Sequence, residues 1–126
     1  MNVKRQVEYW LKTAQSDFDT AQTIFESGKN LHHCLFFCHL VLEKELKAIV
    51  AKRTKSLPPR IHDLEVLAKR GMVQLDPETK DFFSLMNSFN LEARYPDERF
   101  RIYKKATRKY AERLFNKTKE NFAWLK

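Results

Sequence analysis

The feature that most constrains this chain is how seldom it is allowed to turn. Only 2 Gly and 4 Pro are spread over 126 residues, whereas strands in a sheet protein are separated by turn signals about every 8–12 residues. A few long helices are what so few breakers permit. With 43% hydrophobic residues at this length, the chain can fill one core but not two independent ones. Residues 1–126 are therefore read as a single domain.

The apolar spacing supports helices throughout. Val7, Leu11, Ala14, Phe18, Ala21 and Phe25 alternate steps of four and three, which lays one apolar stripe along a first helix. Gly28 supplies its stop. A second helix is expected from about Asn30, as N-cap, to about Arg53, apolar around most of its circumference in the first half and so the central one. Pro58 and Pro59 interrupt the pattern, and a short helix follows from about His62 to Arg70, closed by Gly71. Asp76 before Pro77 is an N-cap followed by a proline at the first helical position, opening a helix to about Asn90. Pro96 pushes Tyr95 toward extended backbone, and a last long helix is expected from Asp97 or Glu98 to near the C-terminus. The expectation is an all-α, up-and-down bundle of four main helices plus one short helix.

In the last helix Tyr103, Ala106, Tyr110, Leu114, Thr118, Phe122 and Leu125 define the inward side, and Arg101, Lys105, Arg108, Lys109, Arg113 and Lys119 the outward one. The charge follows the same division. Residues 1–93 hold 13 Lys+Arg against 12 Asp+Glu, while residues 94–126 hold 11 against 4. A basic face of this kind attracts anionic partners, nucleic acid among them, and Arg101, Lys105, Arg108 and Arg113 are the candidates for tracking phosphates. A solvated face that keeps the protein soluble accounts for the charge equally well.

The most apolar stretch, Leu31 to Val50, carries His32, His33, His39, Glu43, Lys44, Glu45 and Lys47, a set too costly for lipid. It reads as a core helix. With no basic-then-apolar leader at the start, a cytoplasmic location is expected. Cys34 and Cys38 lie one turn apart on that helix, where their side chains run parallel and suit a disulfide poorly, so reduced, buried thiols are expected.

Within the same helix His39, Glu43 and Lys47 are spaced by four and share a stripe, with Glu43 and Lys47 in the favourable order for an ion pair. They either line a cleft for a polar ligand or form a structural pair. The histidines and cysteines match no zinc spacing, and Gly28 and Gly71 are too isolated to cradle a phosphate, so neither a metal nor a cofactor is expected. Arg94-Tyr95-Pro96-Asp97 presents a guanidinium, an aromatic ring and a carboxylate on a stiff turn, suited to a phosphate and a base or to a simple interhelical connection.

Taken in succession, several of these segments resemble the HEPN (higher eukaryotes and prokaryotes nucleotide-binding) family. The run from Phe37-Cys38-His39-Leu40 through Glu43-Lys44-Glu45-Leu46-Lys47-Ala48 is similar to its second-helix signature. His62-Asp63-Leu64 after a proline-containing loop, the Arg94-Tyr95-Pro96-Asp97 turn, and Trp10-Leu11 with Ala14, Asp17 and Ala21 continue the likeness in order. The resemblance implies a helical binding module that takes a nucleotide or other anionic ligand, or pairs with a small nucleotidyltransferase in a toxin–antitoxin-like couple. Glu43, Lys47, His62, Asp63, Arg94, Tyr95 and Asp97 are then its candidate ligand-binding residues. Members that cleave RNA carry an arginine followed after four to six residues by a histidine near the last helix. Here no histidine follows His62, and Arg53 and Arg60 precede it at other separations. No catalytic residue is therefore assigned, and a metal-independent RNase remains the alternative, beside a non-specific nucleic-acid binder using the basic helix. His39 also stands where the family usually has glutamine.

A chain with 10 Phe, 4 Tyr and 2 Trp carries more aromatic surface than one short bundle usually encloses. Leu35, Phe36, Phe37, Leu40 and Val41 also span too wide an arc for a single core. Two-fold pairing is the commonest way to cover such a surplus, and a homodimer is predicted: light scattering at micromolar concentration should report twice the 15.1 kDa chain mass, and a clean monomer would refute it.

Overall fold

The apolar surface of the chain converges on one helix. In the computed structural model, which describes residues 2–93, 101 and 104–125, α1 (Val3–Ser27) and α2 (Leu31–Thr54) are joined by only three residues. So short a connection makes them an antiparallel hairpin. The short α3 (Leu64–Arg70), α4 (Pro77–Asn87), a 3-10 segment (Ser88–Ala93) and α5 (Arg108–Leu125) complete the described elements. α1, α3, α4, the 3-10 segment and α5 all pack against α2. The described residues contain no strand, and no helix among them is long and apolar enough to cross a membrane. The fold is an all-α bundle.

The core follows from that arrangement. Leu35, Leu42 and Leu46 of α2 are fully buried and meet Ala14 and Ala21 of α1, Leu64 and Leu67 of α3, Phe83 of α4 and Leu114 of α5 in one cluster. Three aromatic stacks tie α1 to α5: Phe18 with Phe115 at 5.6 Å, Phe18 with Phe122 at 5.0 Å, and Phe25 with Phe115 at 5.0 Å. Contacts of this kind contribute about 0.5–1.5 kcal/mol each beyond the area they bury. Cys34 and Cys38 are buried and form no disulfide, and the hydrogen bond from Cys34, together with burial, pushes the Cys38 thiol up. Of the aromatic surplus expected on α2, Phe36 and Phe37 remain partly exposed.

The helix ends correct four expectations. Asn30 does not cap α2 with its side chain; it sits at φ 54° and offers its backbone carbonyl to His33 N–H at 2.9 Å. α3 begins at Leu64 rather than His62, because the Asp63 carboxylate accepts from the N–H groups of Glu65 and Val66 and sets the first turn there. α4 starts at Pro77 under the Asp76 cap but tightens into 3-10 geometry at Ser88, whose hydroxyl donates to the Leu85 carbonyl at 2.7 Å. The last helix is broken. Arg101, Lys104 and Lys105 are helical, but Thr107 N–H turns back to the Lys105 carbonyl at 2.8 Å and its hydroxyl caps Tyr110 N–H, so α5 starts at Arg108. That α5 buries Leu114, Thr118 and Phe122 as expected, adds Ala111 and Phe115, and leaves Tyr110 and Leu125 half-buried.

Gly28 stops α1 in the left-handed region, at φ 70°, and an added Cβ there would lie 3.3 Å from Arg108 Nη1. Left-handed backbone costs a residue with a Cβ about 1–2 kcal/mol. Gly28→Ala should accordingly lower the unfolding free energy by that amount, read as a lower urea midpoint at unchanged slope; an unaltered midpoint would mean that the α1–α2 turn relaxes freely.

Candidate functional site

Because α2 is buried over its middle turns, the polar groups there must find partners inside the protein. Glu43 is 4% exposed and Lys47 6%. The Lys47 ammonium donates to Glu43 Oε2 at 3.1 Å, which is the ion pair expected from their spacing. Glu43 Oε1 accepts from His62 Nδ1 at 2.9 Å, across from the loop that precedes α3. One carboxylate is thus shared between a lysine one turn away and a histidine from another segment.

The third member of the stripe, His39, is fully buried. Its Nε2 lies 3.0 Å from the His62 carbonyl, which can only accept, so that nitrogen carries the hydrogen. Its Nδ1 is 3.8 Å from Glu43 Oε1 and has no hydrogen-bond partner. Burial lowers the His39 pKa, opposed by the nearby Glu43 charge, so the ring is held neutral. His39 fixes the loop backbone while Glu43 orients the loop's imidazole. The His62 side chain remains 42% exposed.

Lys47 also opens onto a cleft. Its ammonium lies 5.2 Å from the centre of the Trp10 ring, and Lys47, Tyr9, Trp10, Pro58, Pro59 and Arg60 are among the residues around a cavity of about 380 Å³. Trp10 is positioned from α1 by its indole N–H, which donates to Gln6 Oε1 at 3.3 Å, and Tyr9 meets it edge-on at 5.0 Å. Two cations, two aromatic rings and two prolines therefore face one space, with no carboxylate among the residues that line it. Tyr9, Trp10 and Arg60 were not among the site candidates read from the sequence; the Tyr-Trp pair beside the helical stripe is the signal that points to them in retrospect.

The remaining candidates are distributed differently. Asp63 takes a capping position: besides two backbone N–H groups of α3, its Oδ1 accepts from Asn87 Nδ2 of α4 at 3.2 Å. Arg94, Tyr95 and Asp97 lie outside the described residues. On the basic face, Arg101, Lys105, Arg108 and Arg113 are all exposed, but Arg108 lies over the Phe25 ring at 5.0 Å, and Lys105 and Arg113 each lie 5.5 Å from the Tyr110 ring. Those three cations are partly spent on intramolecular packing. Arg53 serves α3, donating through Nη1 to the carbonyls of Gly71 and Met72 at 2.8 and 2.9 Å. Among the described residues no three His, Cys, Asp or Glu side chains group as metal ligands.

A helical bundle with a shared buried carboxylate on its central helix and an aromatic, cationic cleft beside it defines a small all-α domain. The chain belongs to the HEPN domain family, whose model matches residues 7–126, nearly its whole length. No curated protein and no solved structure matches it.

A lowered histidine pKa has a fixed sign in stability. The unfolded chain binds a proton on His39 that the folded protein does not, so stability rises with pH, is fully present above the ordinary value of 6.5, and declines below it. The thermal midpoint should fall between pH 7.5 and 5.5, and His39→Gln, which keeps a donor for the His62 carbonyl, should flatten that fall. Equal slopes for both proteins would mean that His39 is not the buried neutral group.

Proposed function

We propose that this HEPN domain is a binding module for an anionic ligand, with a nucleotide as the class that best fits the cleft at Lys47. What supports this reading is the composition of that cleft. Lys47 and Arg60 supply positive charge for phosphate, while Tyr9 and Trp10 supply flat apolar surface on which a base can stack. Among the described residues the lining holds no opposing carboxylate, and the Glu43 carboxylate stands behind Lys47, bound to its ammonium. Glu43 and His62 set the position of the lysine and the loop, and Asp63 holds the start of α3. Arg94, Tyr95 and Asp97 are proposed as further ligand contacts on the strength of the family resemblance alone. A pairing with a small nucleotidyltransferase belongs to the same reading and rests on the same resemblance, whereas a symmetric homodimer is proposed from the surplus of aromatic residues and a cytoplasmic setting from the free thiols of Cys34 and Cys38.

Calorimetric titration of the full chain with a panel of nucleoside mono-, di- and triphosphates tests it. At least one should bind, and Trp10→Ala and Arg60→Ala, at positions that leave the core intact, should each weaken that binding about tenfold, the equivalent of ~1.4 kcal/mol. Heats equal to dilution for every nucleotide, or affinities unmoved by both substitutions, would exclude this cleft.

A further inference from the structure

The Glu43 carboxylate has two partners, and an anion arriving at Lys47 competes for one of them. Lys47 is bound at 3.1 Å by Oε2 and His62 at 2.9 Å by Oε1. A phosphate that takes the ammonium leaves Glu43, still buried, in need of positive charge, and a buried carboxylate stripped of its counter-ion is strongly unfavourable. The group already in contact with it is the His62 imidazole. We propose that anion binding at Lys47 is coupled to proton uptake at His62, with Glu43 as an internal counter-ion that the ligand displaces from the lysine and that then holds the imidazolium.

Among the described residues, His62 is the group placed to respond. From α2 it faces Glu43 directly, with Lys47 and His39 beyond; His39 Nε2 is committed to the His62 carbonyl, and its Nδ1 stands 3.8 Å from the carboxylate, too far for a hydrogen bond. From its own loop come Arg60, permanently charged, and Asp63, whose Oδ1 is occupied by α3 and by Asn87 of α4. From α1 the cleft receives Gln6, Tyr9 and Trp10 and no carboxylate. His62, at 42% exposure, is open to protons from solvent, whereas His39 is sealed. Its Nδ1–H already points at the carboxylate, so protonation adds a hydrogen at Nε2 without rearranging the ring. The net step is one proton moved from water to Nε2 for each anion bound.

Linkage fixes the sign: if the complex holds more protons than the free protein, affinity rises as pH falls, by at most about tenfold per pH unit for one proton. This inference rests on the binding reading above and is tested separately from it. ADP is titrated into the full chain in buffers of different ionisation enthalpy between pH 5.5 and 7.5. ADP phosphate titrates in the same range, so the comparison with His62→Gln carries the result. Wild type should take up more protons than the variant and show the steeper pH dependence. Glu43→Gln, which removes the internal competitor, should bind ADP more tightly than wild type at pH 7.5 and lose the extra uptake, an outcome that general damage to the fold would not produce. The exposed His62 position keeps the test available if Glu43→Gln fails to fold. Equal proton uptake by wild type and His62→Gln, or weaker binding by a folded Glu43→Gln, would overturn the coupling while leaving the cleft in place. Absence of ADP binding while another nucleotide binds, or of any nucleotide binding, would overturn it as well.

Discussion

Burial of α2 on several sides is the constraint on which the rest of this structure depends. Around most of the helix the consequence is ordinary packing, with Leu35, Val41, Leu42 and Leu46 supplying the core. Around its middle turns the consequence is electrostatic. Glu43 and Lys47 are taken from water, and removing one member of such a pair leaves an uncompensated charge inside, a loss of about 3–5 kcal/mol. A buried pair of this kind is weak evidence for stability, since apolar residues of the same volume often serve as well. Its position beside an aromatic, cationic cleft sets it apart from an ordinary core pair, because Lys47 also lines that cleft.

The site is assembled from elements that are distant in the chain. Lys47 comes from α2, Trp10 from α1 and Arg60 from the loop before α3, and that loop is pinned at its end by the His39 to His62 backbone bond. The loop is held further along by Asp63, which joins α3 to Asn87 of α4. Polar cross-links of this sort fix where side chains point and leave the depth of the core to the Leu and Phe residues. The neutral state of His39 suits the arrangement, since a charged ring would compete with His62 and Lys47 for the Glu43 carboxylate.

The broken last helix shows how local chemistry overrides periodicity. Ala106 and Thr107 fit a continuous amphipathic pattern, but the Thr107 hydroxyl offers Tyr110 N–H a cap and the chain turns there. Beyond the break, Arg108 returns to the α1–α2 turn and lies over Phe25. Part of the basic face is thereby committed to holding α5 on α1, and net charge along a sequence does not reveal which cations are left for a partner.

Local rules were enough to read the helical class, the central place of α2, the stop at Gly28, the Asp76-Pro77 start and the Glu43–Lys47 pair, because breakers, caps and i,i+4 neighbours act within one or two turns. The family likeness was equally legible, since it is carried by short segments in fixed order. Spacing could not decide between a structural ion pair and a ligand cleft, nor bring Trp10, Arg60 and His62 to the same helix, because those approaches span between 10 and 40 residues of chain, as about 19 for His62 to Glu43 and 37 for Lys47 to Trp10. Tertiary packing set those approaches: by closing α1 and the loop before α3 over the polar turns of α2, it gave Glu43 its second partner and placed Lys47 in the wall of a cleft.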